Sequence, residues 1–232
     1  MIFCIVRRTS LICFLFLIFV LYCEKAIFAS EYKTEELACG ISISYPNNWS
    51  RLSPEETSRL AEMGSALSKD DSQKEILLAL NYYSSDKNDP AALFRMTLYS
   101  GDPGFTQDML GALTKEDLKE IQPLFKQQFD DLRKITKGEV DTQKMSLSVG
   151  VVSEFKALIV QRLIKYPHKM SESFLYTIPF VDKKIMINIA YDATHRELYS
   201  IVDSIIKSIT FNSVMSEELM NYHKNTVKNL LN

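Results

Sequence analysis

Apolar and polar positions follow two spacings along the chain, and the switches between them mark its elements. Ile41, Ile43 and Tyr45 alternate with Ser42 and Ser44, the period of two expected of a strand with one buried face. A strand over 32–38 precedes them, and Cys39-Gly40 separates the two. Pro46-Asn47-Asn48 reads as a turn, closed by Trp49. Ser53-Pro54-Glu55-Glu56 opens a helix, with Ser as N-cap, Pro in the first turn and acids at the positive end of the dipole. That helix runs to about residue 68. Strands over 75–83 and 92–99 follow, most simply joined as a hairpin, then a turn at Gly101–Gly104 and a short helical segment over 106–112.

Thr114-Lys115-Glu116-Asp117 caps a long helix that reaches 137 and stops at Gly138. Leu118, Ile121, Leu124, Phe125, Phe129, Leu132 and Ile135 recur at helical spacing, so this helix should lay one apolar stripe on a sheet. Pro123 is expected to kink or divide it. Strands over 145–155, 158–166, 174–180 and 184–191 come next, the last alternating Ile185, Ile187, Ile189 and Tyr191. A helix over 194–206 buries Leu198, Ile201, Val202, Ile205 and Ile206, and 208–211 is a short extended closing segment. Residues 214–231 form a further amphipathic helix. Successive hairpins with helices before and between them predict an α+β fold: an antiparallel sheet covered by helices.

Two stretches carry a resemblance. Ile41-Ser42-Ile43-Ser44-Tyr45-Pro46 followed by Trp49 resembles the opening of PsbP-like and DcrB-like domains, and Ile205-Ile206-Lys207-Ser208-Ile209-Thr210-Phe211 resembles their closing signature. The resemblance spans about residues 32–211. It implies an α/β/α sandwich with a central antiparallel sheet, and a binding or accessory role without shared catalytic residues. The family includes extrinsic photosystem subunits, a nuclear-import protein that binds a small GTPase, secretion chaperones and bacterial envelope proteins. The long helix after Thr114 and the one after Phe211 exceed the typical pattern, which suits a member-specific interaction.

The first 29 residues change the reading of composition. Arg7 and Arg8 precede an unbroken apolar run from Leu11 to Tyr22, then Glu24, Lys25 and a small residue at Ala29. This is the order of a secretion signal, with cleavage expected after Ala29; the run is short of the ~20 residues that span a bilayer. Retention as an anchor is the rival reading, since residues 1–6 are apolar too. A lipid-modified cysteine is disfavoured because Ile12 and Tyr22, not small residues, precede Cys13 and Cys23. Removing residues 1–29 leaves 24 basic and 28 acidic residues, a mild negative charge without the clustered basic face of nucleic-acid binding. Of four cysteines only Cys39 remains, so there is no internal disulfide and no cysteine-based zinc site. A buried structural thiol is the reading for Cys39. The chain thus divides into a signal peptide (1–29), one exported domain (30–212) that is periplasmic or secreted, and a C-terminal amphipathic helix (213–232).

Candidate chemistry is sparse. Tyr45, Pro46 and Trp49 make a platform or, more simply, a plug for one end of the core. His195 with Asp192 suggests an acid–base pair, but no nucleophile accompanies them, and His168 and His223 show no paired metal spacing. Asp86, Asn88 and Asp89 faintly echo a calcium loop without its Gly and distal Glu. Asp70-Asp71 and Asp130-Asp131 read as solvated faces. Gly101–Gly104 lacks the Lys and Ser/Thr of a phosphate loop, and no Gly-x-Ser-x-Gly elbow occurs. No catalytic, cofactor-binding or metal-binding residue is nominated. A non-catalytic accessory protein acting through a protein partner is therefore expected, with a module for a small apolar ligand, held between sheet and long helix, as the alternative. Residues 214–231 pack on their own domain or dock on a partner or membrane surface.

Overall fold

The structure, a computed structural model, describes residues 32–67, 73–84, 89–101, 104–135, 138–180 and 182–212. The expected secretion signal, the expected C-terminal helix, Asp70-Asp71, Asp86, Asn88 and His223 lie outside the described residues, as does the side chain of Cys39.

The described residues form two antiparallel sheets. The strands β1 (Tyr32–Leu37), β2 (Ile41–Pro46) and β10 (Thr210–Phe211) make a small sheet in the order β1-β2-β10. The strands β3 (Ser50–Arg51), β4 (Gln73–Tyr82), β5 (Ala92–Ser100), β6 (Asp141–Val152), β7 (Phe155–Lys165), β8 (Met170–Pro179) and β9 (Lys183–Asp192) make the large one, in the order β3-β4-β5-β9-β8-β7-β6. The expected hairpin of β4 and β5 is present, and β6 to β9 form a meander whose last strand returns beside β5. The described residues form four α-helices, α1 (Pro54–Leu67), α2 (Gln107–Ala112), α3 (Lys115–Ile135) and α4 (Glu197–Ser208). The α+β fold with a large antiparallel sheet and helices is the one the pattern predicts.

Register assigns the faces. Phe94 faces Ile189, which faces Phe174 across β5, β9 and β8. Their side therefore holds Met96, Ile185, Ile187 and Tyr191, all buried. Onto this face pack the small sheet, through Ile41, Ile43 and Tyr45, and α4, through Leu198, Val202, Ile205 and Ile206. At about 1.5–3 kcal/mol for each fully buried aliphatic side chain, α4 is firmly fixed. The opposite face meets α3 beside β6, where Phe129 lies against Arg162, and α2 beside β7, where Gly111 approaches the Lys156 side chain; α1 lies beside β4.

Several boundaries differ from expectation. The first two strands leave the main sheet and pair only with each other and with β10. The β6–β7 turn lies at Ser153-Glu154, not at 156–157, and Ser153 takes φ 57. A positive φ is one that Asn or Gly usually occupies, so the sequence carries no turn signal there. Helix α4 begins at Glu197, not at 194, because Asp192 first accepts from the amide and hydroxyl of Thr194 in a side-chain turn. Helix α3 continues unbroken through Pro123. Gly40 takes φ 69 where the chain turns into β2, and a Cβ there would overlap the Asn212 amide.

Candidate functional site

Helix α3 begins at a cap that the sequence specifies. The Thr114 hydroxyl accepts from the Asp117 amide at 3.2 Å, and the Asp117 carboxylate accepts from the Thr114 amide and hydroxyl at 2.7 Å. These bonds hold the Asp117 carboxyl below its ordinary pKa. The helix then runs antiparallel to β6: the Gln122 amide donates to the Met145 carbonyl at 3.1 Å, and Arg133 pairs with Asp141 at 3.6 Å. An edge-strand carbonyl is thereby covered, one of the ways proteins protect a sheet edge.

Its packing departs from the pattern expected of a stripe that lies on a sheet. Leu118, Ile121, Phe125 and Phe129 are only half-buried, and Leu124 is 63% exposed. Among the described residues none of α3 is buried, whereas four of the much shorter α4 are. The reason is position: α3 rests mainly on β6, the outermost strand, so its stripe meets the margin of the sheet and not its middle. Two open clefts follow this seam. One of about 500 Å³ is lined by Leu113, Leu118, Gln122, Leu147 and Val149 among others. The other, about 860 Å³ and polar, lies beyond Pro123 between Lys126, Asp130, Arg133 and Thr142.

The sheet face inboard of α3 is half-covered as well, with Leu93, Leu175 and Met186 partly exposed. Two arginines are set into it. Arg162 lies over the Phe129 ring at 4.1 Å and donates to the Ser173 hydroxyl at 3.0 Å, while its Nε finds no acceptor. Arg95 donates to the Leu80 and Phe94 carbonyls and to Asn81 Oδ1. Opposite Arg95 on β9, Asn188 Oδ1 is buried without a partner. Burial lowers both guanidinium pKa values, that of Arg95 to about 10, well above neutral pH; a guanidinium keeps its charge in a protein. Neither has a carboxylate partner among the described residues. The face is therefore apolar with fixed positive charge, a surface suited to recognition.

The residues nominated by sequence fall elsewhere. Tyr45 and Trp49 are 1% exposed; Trp49 stacks on Tyr82 at 5.9 Å and the Tyr45 hydroxyl donates to Glu35. They plug the core. His195 Nδ1 bonds Glu197 at 2.8 Å, not Asp192, whose carboxylate is engaged by Thr194. Burial raises the Asp192 pKa, but the Thr194 bonds and the nearby His195 and Lys169 outweigh it and hold the group low. His168 is exposed in the β7–β8 turn, and Asp89 pairs with Lys169 at 2.6 Å. Asp130 is exposed, and Asp131 pairs with Lys134 at 2.7 Å. Among the described residues no group of three His, Cys, Asp or Glu could hold a metal ion, and no helix is long and apolar enough to cross a membrane. Sequence reasoning found the α3 stripe but missed Arg95, Arg162 and Asn188. In sequence these are single polar residues inside strands, and only the register brings them to one face.

No protein-family model and no curated protein matches the chain. Solved structures do. PsbP (CyanoP) of Synechocystis sp. PCC 6803 is 9% identical, over 78% of this chain and 93% of its own, with a TM-score of 0.47. LpqN of Mycobacterium tuberculosis, a protein involved in cell envelope biogenesis, is 14% identical over 77% of this chain and 90% of its own, at 0.39. A Bacteroides thetaiotaomicron protein is 9% identical at 0.39 over 75% of this chain, which spans 46% of that protein's length. The solved structures similar to this chain thus include PsbP-like proteins, the group that residues 41–49 and 205–211 resemble, and the likeness is one of fold.

Proposed function

We propose that the chain is an exported, non-catalytic accessory protein of the cell envelope that binds a protein partner through α3 and the sheet face inboard of it. One observation carries this reading: a long helix with a regular apolar stripe has no described residue buried, while Leu124 points outward at 63% exposure. An unpartnered apolar surface of this kind marks interaction sites in soluble proteins. Arg95 and Arg162 favour a partner whose contact surface is apolar with acidic groups. Location outside the cytoplasm is supported by the order of Arg7-Arg8, the apolar run and Ala29.

Two measurements test the reading. N-terminal sequencing of the exported chain should begin at Ser30; a chain that keeps Met1 would exclude a cleaved signal. Envelope material captured on the exported chain should contain one stoichiometric protein. Leu124→Asp should lower its capture ten-fold or more, and Asp203→Asn on α4 should leave it unchanged. Equal capture by wild type and Leu124→Asp would exclude the face.

The cleft of about 500 Å³ beside Leu118 and Leu147 favours a second reading, a small apolar ligand held between α3 and the sheet. Its signature is a bound mass in native spectrometry that Leu118→Trp expels.

A further inference from the structure

The core face of the large sheet is covered over only part of its width. Toward β6 it continues as three rows beyond the small sheet, Ser148–Ile159–Tyr176, Ser146–Gln161–Phe174 and Lys144–Leu163–Glu172. Ile159, Leu163, Phe174 and Tyr176 are half-buried there, Ser146, Ser148 and Gln161 are exposed, and a cleft of about 580 Å³ sits at the far end beside Leu163 and Glu172. Along one side runs α4, with Tyr199 56% exposed. The small residues Ser146, Ser148 and Gly150 leave the outer side low, so the rows form a trough.

The described chain ends at the mouth of this trough. Phe211 packs edge-on against Phe155 at 4.9 Å and beside Phe180 at 6.0 Å, and the Asn212 amide donates to the Gly40 carbonyl. Phe155 begins β7, the floor of the trough. From Phe155 to Leu163 that strand advances about 27 Å at ~3.3 Å per residue. Residues 215–231 written as a helix extend about 25 Å at ~1.5 Å per residue. On such a helix Met215, Leu219, Met220, Tyr222, Val227, Leu230 and Leu231 share one half of the circumference. Glu217, Glu218, Asn221, Lys224, Asn225, Lys228 and Asn229 fill the other. Ser216, His223 and Thr226 share the apolar half, which is thus mostly but not wholly apolar and suits a helix with two walls to meet, the strand floor and α4 with their interspersed serines and Gln161.

From this exit point, length and matching faces, we infer that the trough over β6, β7 and β8 is the docking site of the chain's own residues 214–231, lying as a helix beside α4. The segment then completes the layer that α4 begins, and the partner surface at α3 on the opposite face stays free.

A benzophenone amino acid placed at Tyr222 in the otherwise unchanged chain tests this directly. Photolysis should give an intramolecular cross-link to residues 146–150, 159–163, 174–176 or Tyr199. Cross-links to the face of Leu93 and Met186, to a second copy, or to lipid in phosphatidylglycerol vesicles would overturn the inference. A second variant, Leu219→Asp with Leu230→Asp, should raise hydroxyl-radical labelling of Phe174 and Tyr176 at least three-fold while Trp49 stays protected. Unchanged labelling of both rings would contradict docking; if Trp49 loses protection, the Tyr222 cross-link decides.

Discussion

Ser208 is one residue whose role becomes visible only when two elements meet. Strand β10 pairs with β2 only at Ile41 and Ser42, so the Ser44 amide and carbonyl on that side have no strand partner. The Ser208 hydroxyl takes the place of one: it accepts from the Ser44 amide at 2.9 Å, and the Ser44 and Ile205 carbonyls lie 2.9 and 2.7 Å from it. Ser208→Ala strands a part-buried N–H, which costs about 1–3 kcal/mol. Chemical denaturation should show that loss, and Ser208→Thr, which keeps the hydroxyl, should recover much of it. This accounts physically for the serine in the closing stretch Ile205–Phe211. That residues there matter was legible in the sequence; that the serine serves a strand 164 positions away was not.

Among the elements, the helix starts were the most legible. Ser53 and Glu56 exchange the bonds of a capping box, with Glu56 accepting from the Ser53 amide at 2.8 Å, and Thr114 with Asp117 repeats it at α3. Such caps are local, so sequence spacing is enough to find them. Both carboxyls titrate below their ordinary values, through hydrogen bonds to Ser53 and Thr114. A lowered folded-state pKa adds stability above the ordinary carboxylate range, and that contribution is lost as pH falls through the lowered value. Helix α3 should accordingly fray at its first turn on acidification. In Thr114→Ala the Asp117 titration, followed by carboxyl NMR, should move up toward the ordinary value; an unmoved midpoint would remove the cap from the explanation. Less legible was the extent of burial along α3. Its stripe shows the helical period, but periodicity does not say whether a helix lies across the middle of a sheet or along its edge. The β6–β7 turn escaped for another reason: Ser153-Glu154 has none of the residues that turns of positive φ usually select.

At the scale of the whole molecule, the large sheet carries unequal loads on its two faces. One side holds the small sheet, α4 and nearly all the fully buried side chains; the other holds α2, α3 and a half-open floor with Arg95, Arg162 and Asn188. The antiparallel sheet and its helical cover could be foreseen from successive alternating strands. The arrangement of polar groups on the open floor depended on the β5–β9 pairing, which joins residues about ninety positions apart and leaves no local trace. The proposed partner surface is the half-open floor with its fixed positive charge. A docking face at α3 requires that a photo-cross-linker at Leu124 capture a single protein in intact envelopes, and that the same group at Gln161, on the core-side face of β7, not capture it. A discrete adduct from position 124 alone is the predicted result. Adducts that are equal at both positions, or absent from both, would contradict it.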